Sequence, residues 1–114
     1  MTKPRFLDDR AFKCLRAGDA ERYHRAIEGR SVVDFTDADL RAVDFRQADL
    51  TKVVLRGAYL RDADLRGCDL RHLDLEGASL EGAKVNGAYF PPNVSPEEIR
   101  MSLEYGTRLR TIRP

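Results

Sequence analysis

Acidic and basic side chains recur along this chain at intervals of five. Aspartates stand at Asp34, Asp39, Asp44, Asp49, Asp64, Asp69 and Asp74, and arginines at Arg41, Arg46, Arg56, Arg61, Arg66 and Arg71. Two chemistries are open to such a set. Carboxylates brought side by side can share a proton and so offer an acid next to a base. Stacked guanidinium groups can receive an acidic partner or a phosphate backbone. Other reactive groups are few: two histidines, His24 and His72, and two cysteines, Cys14 and Cys68. The cysteines have neither metal-ligand spacing nor a disulfide framework, and buried structural roles are expected for both. No glycine-rich loop that could cradle a phosphate is present. With 20 Lys+Arg against 19 Asp+Glu the net charge is +1, which gives no overall field for gathering nucleic acid or anionic lipid.

What positions these charges is a repeat. From Val33 onward an apolar residue falls on every fifth position: Phe35, Leu40, Phe45, Leu50, Leu55, Leu60, Leu65, Leu70, Leu75, Leu80, Val85 and Phe90. Two positions before each stands a smaller apolar residue, usually alanine, as in Ala38, Ala58 and Ala78. A period of five suits no regular element. On a helix it advances about 140° per step, and on a straight strand it alternates faces. The pattern makes sense if the chain turns a corner once per unit and returns both apolar residues to one interior. Gly57, Gly67, Gly77, Gly82 and Gly87 lie two residues after the centres, where a type II corner needs positive φ. Asp37, Ala42, Gln47 and Lys52 hold that place in earlier units, which predicts a different turn type there. Four right-angle corners close a coil in 20 residues, and the bulky column Val33, Val53, Leu73 has that spacing. Three coils are therefore expected, stacked at about the 4.8 Å strand separation. Such a coil sets Asp44 beside Asp64 and Asp49 beside Asp69, with nearby arginines offsetting any upward pKa shift.

The units Ala38-Asp39-Leu40-Arg41-Ala42 and Ala63-Asp64-Leu65-Arg66-Gly67 resemble the pentapeptide-repeat family. The resemblance covers about Val33 to Pro92. It implies an all-β solenoid, a right-handed quadrilateral β-helix, with the centre and the residue two before it inside and the other three outside. It implies less about function, since members include gyrase-binding proteins and secreted effectors.

Both ends lack the pentad pattern. Leu7, Ala11, Phe12 and Leu15 follow helical spacing; Gly18 breaks the chain, and Asp19 caps a second helix carrying Tyr23, Ala26 and Ile27. Ser95-Pro96-Glu97-Glu98 reads as a capping box opening a helix with Ile99 and Leu103, stopped at Gly106. Solenoids need atypical ends to cover the apolar faces of the stack. The expected organisation is thus a helical cap over 1–30, the repeat over 31–92, and a helical cap and tail over 93–114.

No enzyme and no cofactor or metal is expected, because a polar repeat surface offers no pocket; His24 and His72 read as bystanders. The expected function is binding of a protein partner through the solenoid faces. Candidate contacts are the arginine columns Arg41/Arg61 and Arg46/Arg66, and the outward pair Val54 and Tyr59, which stand where a polar residue is usual. One alternative is a DNA-mimicking gyrase binder, for which near-neutral charge and three coils are poor qualifications. The other is a structural or oligomerising module, with Ile99, Leu103, Leu109 and Ile112 as candidate contacts of a C-terminal homodimer. No stretch approaches the ~20 apolar residues that span a membrane, and charge at Asp8 and Asp9 leaves no room for a secretory signal, so a cytoplasmic location is expected.

Overall fold

The five-residue pattern resolves into a register of twenty. In the computed structural model, which describes residues 3–112, strand β1 (Val33–Asp34) pairs in parallel with β2 (Val53–Val54), Val33 opposite Val53 and Asp34 opposite Val54. Single parallel bridges continue the same offset at Asp39–Tyr59, Asp44–Asp64, Tyr59–Ser79, Asp64–Lys84 and Asp69–Tyr89. The regular sheet is small because a corner interrupts each strand after two or three residues. Helices flank the repeat: α1 (Arg10–Arg16) and α2 (Ala20–Ile27) before it, and α3 (Pro96–Tyr105) after it.

The apolar residues fill one interior. Ten of the twelve centres, Phe35 through Leu80, are buried, while Val85 and Phe90 in the last lap are half-buried. The first helix lays Ala11, Phe12 and Leu15 over the start of the stack, with the Phe12 ring edge-on to Phe35 at 6.1 Å. Its N-terminus is capped by the Asp9 carboxylate, which accepts from the Phe12 N–H. Residue Arg5 adds a further parallel bridge to Ala38 above the first lap.

The expectation of a different turn at the early non-glycine corners holds at Gln47 and Lys52 and fails at Asp37 and Ala42. Asp37, Ala42 and Asp62 adopt the same left-handed conformation as the glycines, with φ of 59°, 63° and 59°. Only the corners at Gln47, Lys52 and His72 do not. Neighbouring laps force this conformation on L residues where the ladder is intact. At Ala42 no polar side chain compensates the strain. Ala42→Gly is therefore expected to raise stability by up to about 1 kcal/mol, and Gly67→Ala to lower it by about 1–2 kcal/mol, read by urea denaturation. At Gly67 a Cβ would meet open space, so that cost is backbone strain alone.

The ladder has one gap. Main-chain bonds join 33–45 to 52–64, ending with Phe45 N–H to the Asp64 carbonyl, and resume at Gly57 N–H to Glu76. Between them, none joins 47–55 to 67–75 among the described residues. The gap coincides with the three corners that are not left-handed. Long side chains at Gln47, Lys52 and His72 avoid that conformation.

At the other end, Ser95 caps α3 by accepting from the Glu98 N–H, and Gly106 ends it in the left-handed conformation at φ 72°. The reciprocal half of the expected capping box is not made: the Glu98 carboxylate accepts instead from Arg110, at 2.9 Å from both its backbone N and Nη2. The tail then runs back along the last lap, bridging antiparallel at Ser79–Arg108. Leu109 is 1% exposed within the core.

Candidate functional site

The outward aspartates have a local task. All seven accept a hydrogen bond from the backbone N–H two residues on, from Thr36, Arg41, Arg46, Thr51, Arg66, Arg71 and Glu76. Each thereby starts a corner as an Asx turn, a role legible from the Asp spacing but not foreseen in the charge pattern. Four arginines close a fork on the same carboxylate. Arg41 grips Asp39 at 2.9 and 2.6 Å, Arg46 grips Asp44 at 3.0 and 2.9 Å, Arg66 grips Asp64 at 2.9 and 2.7 Å, and Arg71 grips Asp69 at 2.9 and 2.8 Å.

These forks settle the electrostatics of the stacked carboxylates. Asp44 and Asp64 bridge as neighbours, yet the guanidinium groups of Arg46 and Arg66 hold both carboxyls below the ordinary range. Asp69 is likewise held down by Arg71, and Asp49 by the N–H and hydroxyl of Thr51. Each is ionised and engaged at neutral pH. The arginine columns Arg41/Arg61 and Arg46/Arg66 are therefore unlike one another. Arg41, Arg46 and Arg66 are tied to carboxylates, whereas Arg61 lies 3.9 Å from Asp62 and is 60% exposed. The difference follows from Tyr59, which occupies the place where Arg61 would find its aspartate. Val54 makes the same substitution for Arg56, which reaches to Asp74 of the next lap at 3.0 Å.

Val54 and Tyr59 do not form one open patch. Val54 is half-exposed, but the Arg108 guanidinium lies 4.9 Å from the Tyr59 ring centre and Nη2 donates to its hydroxyl at 2.5 Å. The tail covers this tyrosine. The candidate dimer contacts need a similar correction. Leu109 belongs to the core, and Ile99 and Leu103 pack against it, so only Ile112, 64% exposed, remains on the surface. Met101 and Tyr105, on the outer side of α3, are the exposed apolar residues there that the spacing did not single out.

The histidines are also not bystanders. His24 Nε2 accepts from the Asp49 N–H at 3.0 Å, and His72 Nε2 donates to the Leu50 carbonyl at 3.1 Å. Beside His72 the ladder gap opens as a cleft of about 360 Å³, bordered by Arg46, Asp49, Leu50, Cys68 and Asp69. Cys68 donates its S–H toward the Phe45 carbonyl at 3.5 Å, and burial pushes its thiol pKa up, which keeps it protonated. Both cysteines are free. Among the described residues no group of three or more His, Cys, Asp or Glu could hold a metal ion, and no helix is long and apolar enough to cross a membrane.

No curated protein matches the chain. The model of pentapeptide repeats matches it in eight copies over residues 34–71 and 58–90, together half of its 114 residues. The Ala-Asp-Leu units, the buried centres and the register of twenty agree with that match, and the chain belongs to the pentapeptide-repeat family.

Proposed function

We propose that this repeat scaffold is a non-enzymatic binding module that receives a protein partner on its outer faces, centred on units 53–62. The repeat is inferred to be the right-handed quadrilateral β-helix of three coils that the family implies, with 1–30 and 93–114 as its caps. The observation that carries the reading is the contrast between locked and unlocked arginines. Four are fixed in forks with their own aspartates, and Arg61 stands exposed where two successive units lack their aspartate, at Val54 and Tyr59. A fixed surround lowers the ordering cost of binding, and a less engaged guanidinium offers bidentate contact to a carboxylate of the partner. Half-exposed Val54 supplies an apolar neighbour on the adjoining side.

The test is affinity capture from the native host with the intact protein as bait. Arg61→Glu and Val54→Asp are expected to lose a partner that Arg66→Glu retains. Equal recovery with all three baits removes the assignment to units 53–62. The DNA-mimicking alternative needs a row of unpaired carboxylates, and here the aspartates are spent on corners and forks. Stoichiometric protein is therefore expected to leave gyrase supercoiling unchanged, and inhibition at sub-stoichiometric amounts would establish that alternative instead. A C-terminal homodimer is the reading favoured by exposed Met101, Tyr105 and Ile112.

A further inference from the structure

The fourth side of the first lap is held from above and not from below. The second helix takes both main-chain groups of Asp49: its N–H donates to His24 Nε2 at 3.0 Å, and its carbonyl accepts from the Tyr23 hydroxyl at 2.9 Å. Facing the second lap, the Ala48 carbonyl and the Leu50 N–H have no main-chain partner, nor does Asp69 opposite Asp49. The equivalent groups one side earlier are all bonded: Phe45 N–H to the Asp64 carbonyl, and Asp64 N–H to the Val43 carbonyl. Residues 47–52 are thus a strap with two seats, one against α2 and one on the second lap.

We propose that His24 is a pH-operated latch for this strap. A backbone N–H can only donate, so His24 Nε2 must carry a lone pair in the observed seat. Protonation puts a hydrogen on that nitrogen and abolishes the bond. Histidine is the side chain whose ordinary titration falls between pH 5 and 8. With that bond gone, and the Tyr23 hydroxyl still hinging the strap at the Asp49 carbonyl, its other edge can settle onto the second lap, pairing Leu50 N–H with the Asp69 carbonyl and Asp69 N–H with the Ala48 carbonyl. The cleft closes as it does so.

Charged groups surround the latch on both elements. The Asp49 carboxylate, held below the ordinary range by the N–H and hydroxyl of Thr51, faces His24 and stays ionised through this range. Lys52 on the strap and Glu28 on α2 border the same hollow as His24. Glu21 and Arg25, also on α2, pair with each other at 3.7 Å. Tyr23 is no competitor, because burial raises its phenol pKa and it remains a donor. His72 does not reverse the effect either, since its Nε2–H donates to Leu50 whether the ring is neutral or charged.

Amide hydrogen exchange of the full chain, followed residue by residue by NMR from pH 8 to pH 5 and corrected for intrinsic rates, tests the latch. The Leu50 and Asp69 amides are expected to exchange at least about fivefold more slowly at pH 5, as newly bonded amides do, while Asp49 exchanges faster. Leu60 and Leu65, bonded in the intact ladder to Ser79 and Lys84, serve as the reference and should not change. His24→Gln, whose amide oxygen accepts but does not titrate, should abolish the pH response. His24→Leu, which cannot accept at all, should show the slowed Leu50 and Asp69 amides already at pH 8. Unchanged protection of Leu50 and Asp69 in the wild type, or the same response in His24→Gln, would overturn the proposal.

Discussion

Leu65→Ala is expected to lower the free energy of unfolding by about 2–5 kcal/mol, the cost of emptying a fully enclosed leucine site. Leu65 is 0% exposed and lies between two neighbouring segments, Phe45 bonding Asp64 on one side and Lys84 bonding Leu65 on the other. Its N–H is fixed to the Lys84 carbonyl at 2.8 Å, and Phe45 and Val85 occupy the same column one lap away on either side. The surroundings cannot collapse into the void without breaking ladder bonds, which favours the upper part of that range. Arg66, the next residue, points to water and pairs only with Asp64 of its own unit, so Arg66→Ala should leave stability nearly unchanged. Urea denaturation of the two variants and the parent measures both. If the arginine substitution proved the more damaging, the division between inward and outward positions would have to be reversed.

That division was the most legible part of the chain. A period of five with a leucine centre admits one interior, and the centres from Phe35 to Leu80 are all buried. What the pattern could not convey depends on partners far apart in sequence. The conformation of a corner is set by the lap beneath it as well as by its own residue, so Ala42 and Asp62 are left-handed where their types alone argue otherwise. Gln47, Lys52 and His72 read as three more non-glycine corners, yet the gap in the ladder falls at these three. The histidine roles followed from that gap and could not be read without it. Tyr59 looked like a free outward aromatic because Arg108, 49 residues away, carries no repeat signature that would announce their contact.

The tail was misread for the same reason, and it yields the second large effect. Leu109 lies beyond the last helix in a segment rich in arginine, a context that suggested a surface strip. Instead its N–H donates to the Ala78 carbonyl and its carbonyl accepts from the Gly77 N–H, both at 2.8 Å, as an added antiparallel strand on the third lap. Its side chain is buried in the same core as Leu75 and Leu80. Leu109→Ala should therefore cost about 2–5 kcal/mol. Cutting the chain after Gly106 should cost more, because Arg108 then also leaves Tyr59 and Gly77, and Arg110 leaves Glu98. Ile112, although equally apolar, is 64% exposed, and Ile112→Ser should fall within about 0.5 kcal/mol of the parent. Thermal melts at two protein concentrations tenfold apart separate a core role from an interface. A core residue gives a loss for Leu109→Ala that is the same at both concentrations. A loss that shrinks at the higher concentration of either variant would place that side chain between two copies of the chain.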